Sequence, residues 1–187
     1  MYFDEAAFNE AKLKWQEQKL KDYTFEYTFN HRAGLPELAI GEVIVSDNIG
    51  TIHKLRLHTM HKDGEDFYYP VPHPKDALDR EKGNDGGKRF YGEVQKIEDS
   101  YGYTIQLKTV DEIFNLIEQR LLHLHDKCDT DSTITCCELL VSYNAQTGVP
   151  ETIAENIYRT TDPKPSSGLV GWSNRYLDLK ISNFNTN

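Results

Sequence analysis

The polar and apolar residues of the N-terminal region follow two different periods. Over residues 4–20, the apolar side chains of Phe8, Ala11 and Trp15 recur at helical spacing, and lysine and glutamate fill the other face. Over residues 23–30, aromatic residues instead alternate strictly with threonine, glutamate and asparagine. The first segment therefore predicts an amphipathic helix, and the second predicts a strand with one buried face.

The next apolar segments predict a β-hairpin. Residues 38–45 and 51–59 are rich in β-branched and aliphatic side chains. The four residues 47–50 between them are Asp, Asn, Ile and Gly, a composition that suits a tight turn.

An irregular insertion is predicted at about 61–100, because this stretch combines prolines, acidic residues and a glycine-rich segment. Uninterrupted loops of this length in compact domains are usually functional or disordered. Near its end, residues 89–97 and 102–107 are expected to form an additional hairpin.

The second half of the chain repeats the order of elements in the first half. Residues 109–112, Thr-Val-Asp-Glu, form a capping box that opens a second amphipathic helix. Strands are predicted at 134–143, 152–159 and 176–184, and the order is compatible with a tandem αβββ arrangement. We therefore expect one α+β domain over residues 1–187. It has two layers, an antiparallel sheet of about six or more strands with two helices on one face.

Charge and hydropathy exclude two classes of partner. The chain carries 30 acidic and 21 basic residues, a net charge of −9. Nucleic acid and anionic membranes repel such a surface where no basic stripe exists, so no nucleic-acid partner is expected. No apolar run reaches the roughly 18 residues of a membrane-spanning helix, so no membrane-spanning segment is expected.

The three cysteines, Cys128, Cys136 and Cys137, are too few for a disulfide framework. Cys136 and Cys137 are neighbours on a predicted strand, so their side chains point to opposite faces. We expect buried free thiols, because cysteine packs well as a small apolar residue. A bridge that involves Cys128 is the alternative.

No spacing of residues predicts a catalytic, metal or cofactor site. His123 and His125 lie about 200° apart around a helix and cannot bind one ion together. The acidic residues over 126–131 lack the ligand order and the glycine of a calcium loop. Neither a nucleophile elbow nor a P-loop occurs. The sequence thus favours a protein without catalytic residues, metal ligands or cofactors.

Aromatic residues concentrate in the predicted insertion, and they are the candidate contacts for a partner. They are Phe67, Tyr68, Tyr69, Phe90 and Tyr91. Aromatic side chains on loops often anchor protein partners. The alternative is that they fold back over an open face or edge of the sheet.

Several segments together resemble a known family. They are Trp15, residues 22–25 (Asp-Tyr-Thr-Phe), 109–114 (Thr-Val-Asp-Glu-Ile-Phe), 140–143 (Leu-Val-Ser-Tyr) and 147–153 (Thr-Gly-Val-Pro-Glu-Thr-Ile). In this order and spacing they resemble an uncharacterised domain family of bacterial exported proteins, which are often lipoproteins.

The resemblance covers about residues 10–60 and 103–184 and implies an exported, membrane-tethered protein whose leader is missing here. It implies a location in the cell envelope, the periplasm or outside the cell, and a cytoplasmic location is the alternative. The family supplies no activity, cofactor or catalytic residue. Many members carry a Cys-x-Cys after the first strand, where residues 30–33 here are Asn-His-Arg-Ala, so no thiol role carries over to that segment.

Two functions follow as hypotheses. The first is a noncatalytic cell-envelope protein that binds a protein or a small ligand, because catalytic motifs are missing and an aromatic insertion is present. The alternative is a hydrolase-type enzyme whose site is assembled only in the fold.

Overall fold

The computed structural model describes residues 1–30, 37–58, 66–70, 94–99, 102–159 and 174–186. Its long helices are α1 (Glu5–Gln18) and α2 (Val110–Thr130), and residues 94–99 form a short helical segment. Its strands are β1 (Tyr23–Asn30), β2 (Glu37–Ser46), β3 (Ile49–His58), β4 (Asp66–Pro70), β5 (Ile134–Tyr143), β6 (Pro150–Arg159) and β7 (Asn174–Thr186). No helix in these ranges is long and apolar enough to cross a membrane.

All seven strands belong to one antiparallel sheet with the order β4-β3-β2-β1-β7-β6-β5. The predicted α+β class is therefore confirmed. Strand β1 lies at the centre, where it pairs with β2 on one side and with β7 on the other. Strand β4 lies inside the predicted insertion, so part of that insertion extends the sheet.

Both long helices pack on the same face of the sheet, the face to which β1 directs its aromatic residues. Tyr23 contacts both helices: the Trp15 ring of α1 lies edge-on at 5.2 Å, and the Tyr23 hydroxyl accepts a hydrogen bond from the Val110 N–H of α2. The helices contact each other through Phe8 and Phe114, whose ring centroids are 5.9 Å apart. The core thus lies between the helices and the alternating aromatic residues of β1.

Side-chain hydrogen bonds fix the starts of the two long helices, and the backbone angles of two residues fix the turn of the predicted hairpin. The Asp4 carboxylate accepts from the Ala7 N–H at the start of α1, and the Thr109 hydroxyl accepts from the Glu112 N–H at the start of α2. Asp47 and the residue after it both have positive φ, at 48° and 64°, which is the geometry of a two-residue hairpin turn between β2 and β3.

A glycine in β2 makes room for a fully enclosed aromatic residue of β1. Tyr27 is fully buried and pairs with Gly41, and a side chain at Gly41 would collide with the Tyr27 ring. The Tyr27 hydroxyl donates to the Ile105 carbonyl at 2.8 Å. Burial raises the pKa of Tyr27 above its ordinary value, so the hydroxyl stays neutral and donates.

The additional hairpin predicted near the end of the insertion is wrong. Residues 94–99 are helical, and residues 102–107 form no regular strand. The Glu98 carboxylate of the short helix accepts hydrogen bonds from the Ile105 N–H at 2.9 Å and from the Thr104 hydroxyl at 2.8 Å. These contacts stabilise the irregular course of the chain in place of strand pairing.

The prediction of free thiols is also wrong for two of the three cysteines. Cys128 and Cys137 form a disulfide, with a Cα–Cα distance of 6.4 Å, whereas Cys136 is free and half-buried. The reason is the length of α2. The polar residues 126–132 predict a loop, but the helix continues through most of them to Thr130, and this places Cys128 over the helix-facing side of β5.

Candidate functional site

The candidate site lies at the outer edge of β5, where the N-terminal segment pairs with only part of the strand. The Tyr2 N–H donates to the Cys137 carbonyl at 2.8 Å, and the Tyr2 carbonyl accepts from the Leu139 N–H at 3.0 Å. Asp4 then caps α1 and turns the chain away from the sheet. The pairing therefore stops after one residue.

Backbone groups of successive residues in a β-strand point alternately to its two sides, and this alternation shows which groups of β5 point to the outer edge. Cys137 and Leu139 direct their backbone groups away from β6, so Val141 and Tyr143 do so as well. Among the residues that the structure describes, none forms a backbone hydrogen bond with Val141 on this side. The Leu139 carbonyl, both Val141 groups and the Tyr143 N–H thus form an open edge beside Tyr2.

A groove of about 350 Å³ lies along this edge. It is lined by Tyr2, Phe3, Asp4, the residues 139–143 of β5, and Thr152 and Ala154 of β6. Tyr2 is 57% exposed and Leu140 is 40% exposed, so the rim offers apolar surface to solvent. Asp4 is the carboxylate of the groove. We call this surface the β5-edge groove.

Tyr143 closes the groove on the helix side. Its ring stacks on the Phe114 ring at 6.5 Å with an interplanar angle of 9°. Its hydroxyl oxygen is buried and has no hydrogen-bond partner among the residues that the structure describes. Burial, assisted by the negative charge of Asp4, raises the pKa of Tyr143 above its ordinary value, so the hydroxyl is neutral.

A second groove, of about 390 Å³, lies at the start of α2 and is mainly polar. It is lined by Thr104, Gln106, Lys108, Glu112, Asn115, Leu116 and Gln119. The Glu112 carboxylate already accepts a hydrogen bond from the Lys108 N–H at 2.6 Å. Among the described residues, no aromatic side chain lines this groove, so it lacks the aromatic anchors that the β5-edge groove offers.

The one buried ion pair among the described residues joins α2 to β6. Two guanidinium nitrogens of Arg120 donate to the two carboxylate oxygens of Glu155, at 2.7 and 2.9 Å. The side chains are 5% and 0% exposed. The guanidinium also lies 5.5 Å from the Tyr103 ring centroid, and burial together with the charge of Arg120 lowers the pKa of the neighbouring His123. Because the pair is enclosed and bidentate, it serves packing and not substrate binding.

Three of the five sequence-predicted contact residues lie away from the β5-edge groove. Phe67, Tyr68 and Tyr69 lie in β4, at the opposite edge of the sheet, where they pair with β3. Phe90 and Tyr91 lie outside the described residues. Sequence periodicity missed the groove because a single-residue bridge has no pattern. An aromatic pair next to the chain start, Tyr2 and Phe3, was the available signal.

Metal ligands do not gather in the described part of the chain, where no three His, Cys, Asp or Glu side chains are placed to hold an ion. No family model, curated protein or solved structure matches the sequence or the fold. The β5-edge groove is therefore the feature of the described structure that bears on function.

Proposed function

We propose that the protein is a noncatalytic cell-envelope protein that binds another protein through the β5-edge groove. The observation that carries the proposal is that the outward backbone groups of Val141 have no partner in the described part of the chain and lie beside exposed apolar side chains. Unpaired strand edges attract other chains, and natural proteins usually blunt them with charges, prolines or bulges. Here the open part of the edge carries Leu140 and adjoins Tyr2, and the pairing of this part with β6 is irregular only at its end, between Ser142 and Tyr143.

The disulfide supports the envelope part of the proposal. Disulfides form and persist in oxidising compartments and are rare in the cytosol. The bond between Cys128 and Cys137 ties the end of α2 to β5, and Cys137 is fully buried. This agrees with the exported family that the sequence resembles.

The chemistry of the groove supports a role in binding and not in catalysis. The Asp4 carboxylate is engaged at the start of α1, and the hydroxyl of Tyr143 is buried. The remaining ionisable side chain is Tyr2, which is exposed at the rim. A hydrolase needs a base held beside a nucleophile, whereas the two hydroxyl side chains of the groove, Ser142 and Thr152, hydrogen-bond to each other at 2.6 Å and to no base among the described residues.

Site-specific photo-crosslinking tests the binding role. A photoreactive residue at position 140, in the groove, is expected to give a discrete crosslinked adduct in cells that express the protein naturally. The matched control is position 122 on α2, where Leu122 is 70% exposed and lies outside the groove. Equal adducts at both positions, or none at position 140, would contradict the proposal.

Trapping of thiols in intact cells tests the location. Alkylation before and after reduction should show Cys136 as the free thiol and Cys128 and Cys137 as protected. Fractionation should place the protein in the envelope. Three free thiols and recovery with the cytosol would refute the location while leaving the groove untouched.

A further inference from the structure

We infer, on the basis of the proposed function, that the partner inserts an extended polypeptide segment as an additional strand beside β5. The segment would hydrogen-bond to the Leu139 carbonyl, to both backbone groups of Val141 and to the Tyr143 N–H. In this mode of recognition, backbone hydrogen bonds supply affinity and alternate side chains supply specificity.

The Tyr2 bridge shows that this edge already accepts an extended chain. Tyr2 pairs in parallel opposite Glu138, with one hydrogen bond to each neighbour of that residue. The next equivalent positions lie opposite Leu140 and opposite Ser142. In the described part of the chain, no backbone segment lies opposite these two residues, because α1 begins immediately after Asp4. The edge therefore has room for a short strand that continues the line of Tyr2.

The two sides of the edge define which side chains the segment should carry. Leu140 and Tyr2 lie on the open face of the sheet, so an apolar guest residue fits there. On the helix face, the next guest side chain meets Phe3, Asp4 and Tyr143. A lysine or arginine suits this position, because its aliphatic stem packs on aromatic rings and its charge approaches the Asp4 carboxylate.

Net charge favours the same partner. The chain carries −9, so a basic segment is attracted at long range and an acidic one is repelled. The expected segment is therefore extended, about five residues long by the span of the open edge, and alternates apolar with basic residues.

A second copy of the chain fits this edge less well. Two β5 strands would pair stably only if most of the outward backbone groups of each were available. In each copy, however, the Cys137 carbonyl and the Leu139 N–H are already hydrogen-bonded to Tyr2. Only the short stretch that ends at Tyr143 remains. We therefore assign the edge to a segment of a different protein.

N-methyl scanning of a synthetic peptide tests strand addition directly. The probe is a capped heptapeptide of alternating valine and lysine, with its dissociation constant measured by fluorescence anisotropy. Methylation of the amides on one edge of the peptide should weaken binding by about tenfold or more, since each methyl group removes a hydrogen bond and blocks approach. Methylation on the other edge should have little effect. Equal sensitivity on both edges, or on neither, would overturn strand addition.

Two protein variants complete the test. Val141→Pro removes the outward N–H without breaking a bond to β6, and proline is tolerated at such edge positions. It should abolish peptide binding while far-UV circular dichroism stays unchanged. Asp4→Asn keeps a good helix cap but removes the charge, so it should weaken binding of the lysine peptide several-fold and lower its salt dependence. Leu140→Asp serves as a second groove variant if Val141→Pro fails to fold.

The outcomes separate this inference from the proposed function. Crosslinking at position 140 that survives Val141→Pro would overturn strand addition and leave the proposed function standing. If position 140 gives no crosslinked adduct in the protein without further substitutions, the proposed function itself is refuted. A concentration-dependent dimer that disappears in Val141→Pro would show that the edge binds a second copy, and this would overturn the assignment to a different protein.

Discussion

The buried ion pair between Arg120 and Glu155 allows a quantitative test of the packing between α2 and the sheet. Replacement of Arg120 by methionine leaves the Glu155 carboxylate enclosed, with 0% of its side chain exposed and no counter-charge. Breaking one partner of such a pair typically costs about 3–5 kcal/mol. The Arg120→Met variant should therefore lose that much of its free energy of unfolding.

The double variant tests the reason for that loss. In Arg120→Met with Glu155→Leu, no buried charge remains, and apolar replacement of a buried pair is often neutral or stabilising. The double variant should thus be much more stable than Arg120→Met alone. Some loss is expected to persist, because the guanidinium also covers Tyr103 and its Nη1 lies 3.4 Å from the Gly102 carbonyl.

Urea unfolding monitored by tryptophan fluorescence measures these differences, since Trp15 is buried between α1 and the sheet. The control is the pair Lys12–Glu118, whose side chains are 30% and 44% exposed. Lys12→Met should cost less than about 1 kcal/mol, as exposed pairs do. The reasoning is refuted if Arg120→Met costs no more than this control, or if the double variant is as unstable as the sum of its single variants.

Three further predictions concern stability. Replacing Cys128 and Cys137 together by alanine should lower the free energy of unfolding by about 2–3 kcal/mol, the value for a closed loop with a sequence separation of 9; an unchanged urea midpoint would argue against the bond. Gly41→Ala should lower the melting temperature clearly, because its methyl group would collide with Tyr27; a neutral result would show that the ring can move. Tyr27→Phe should cost about 1–2 kcal/mol by removing a buried hydrogen bond, whereas Tyr143→Phe should be neutral or stabilising because that hydroxyl has no partner. Equal losses in chemical unfolding would contradict this difference.

Much of the fold follows from local pattern. The strict alternation in β1 predicts its buried face, and the buried and half-buried residues of β1 do alternate. Asp4 and Thr109 are recognisable as helix caps, and both accept the expected backbone hydrogen bond. These elements were predictable because the interactions that define them lie within a few residues of each other.

The remainder depends on contacts between distant parts of the chain. The bridge of Tyr2 to β5 joins segments more than 130 residues apart, and no sequence period encodes it. The helical segment 94–99 is a local exception: Glu98 bonds to residues only 6 and 7 positions further along, but these polar contacts leave no apolar period in the sequence. Arg120 was a visible exception on the apolar stripe of α2, between Ile117 and Leu124, and could have indicated a buried charge partner.

The central position of β1 has a consequence for biosynthesis. Synthesis proceeds from the N-terminus, so β1 can pair with β2 early but lacks its other neighbour until β7 leaves the ribosome. The strands that precede the insertion and those that follow α2 meet only across this last pairing. Such non-local closure slows folding.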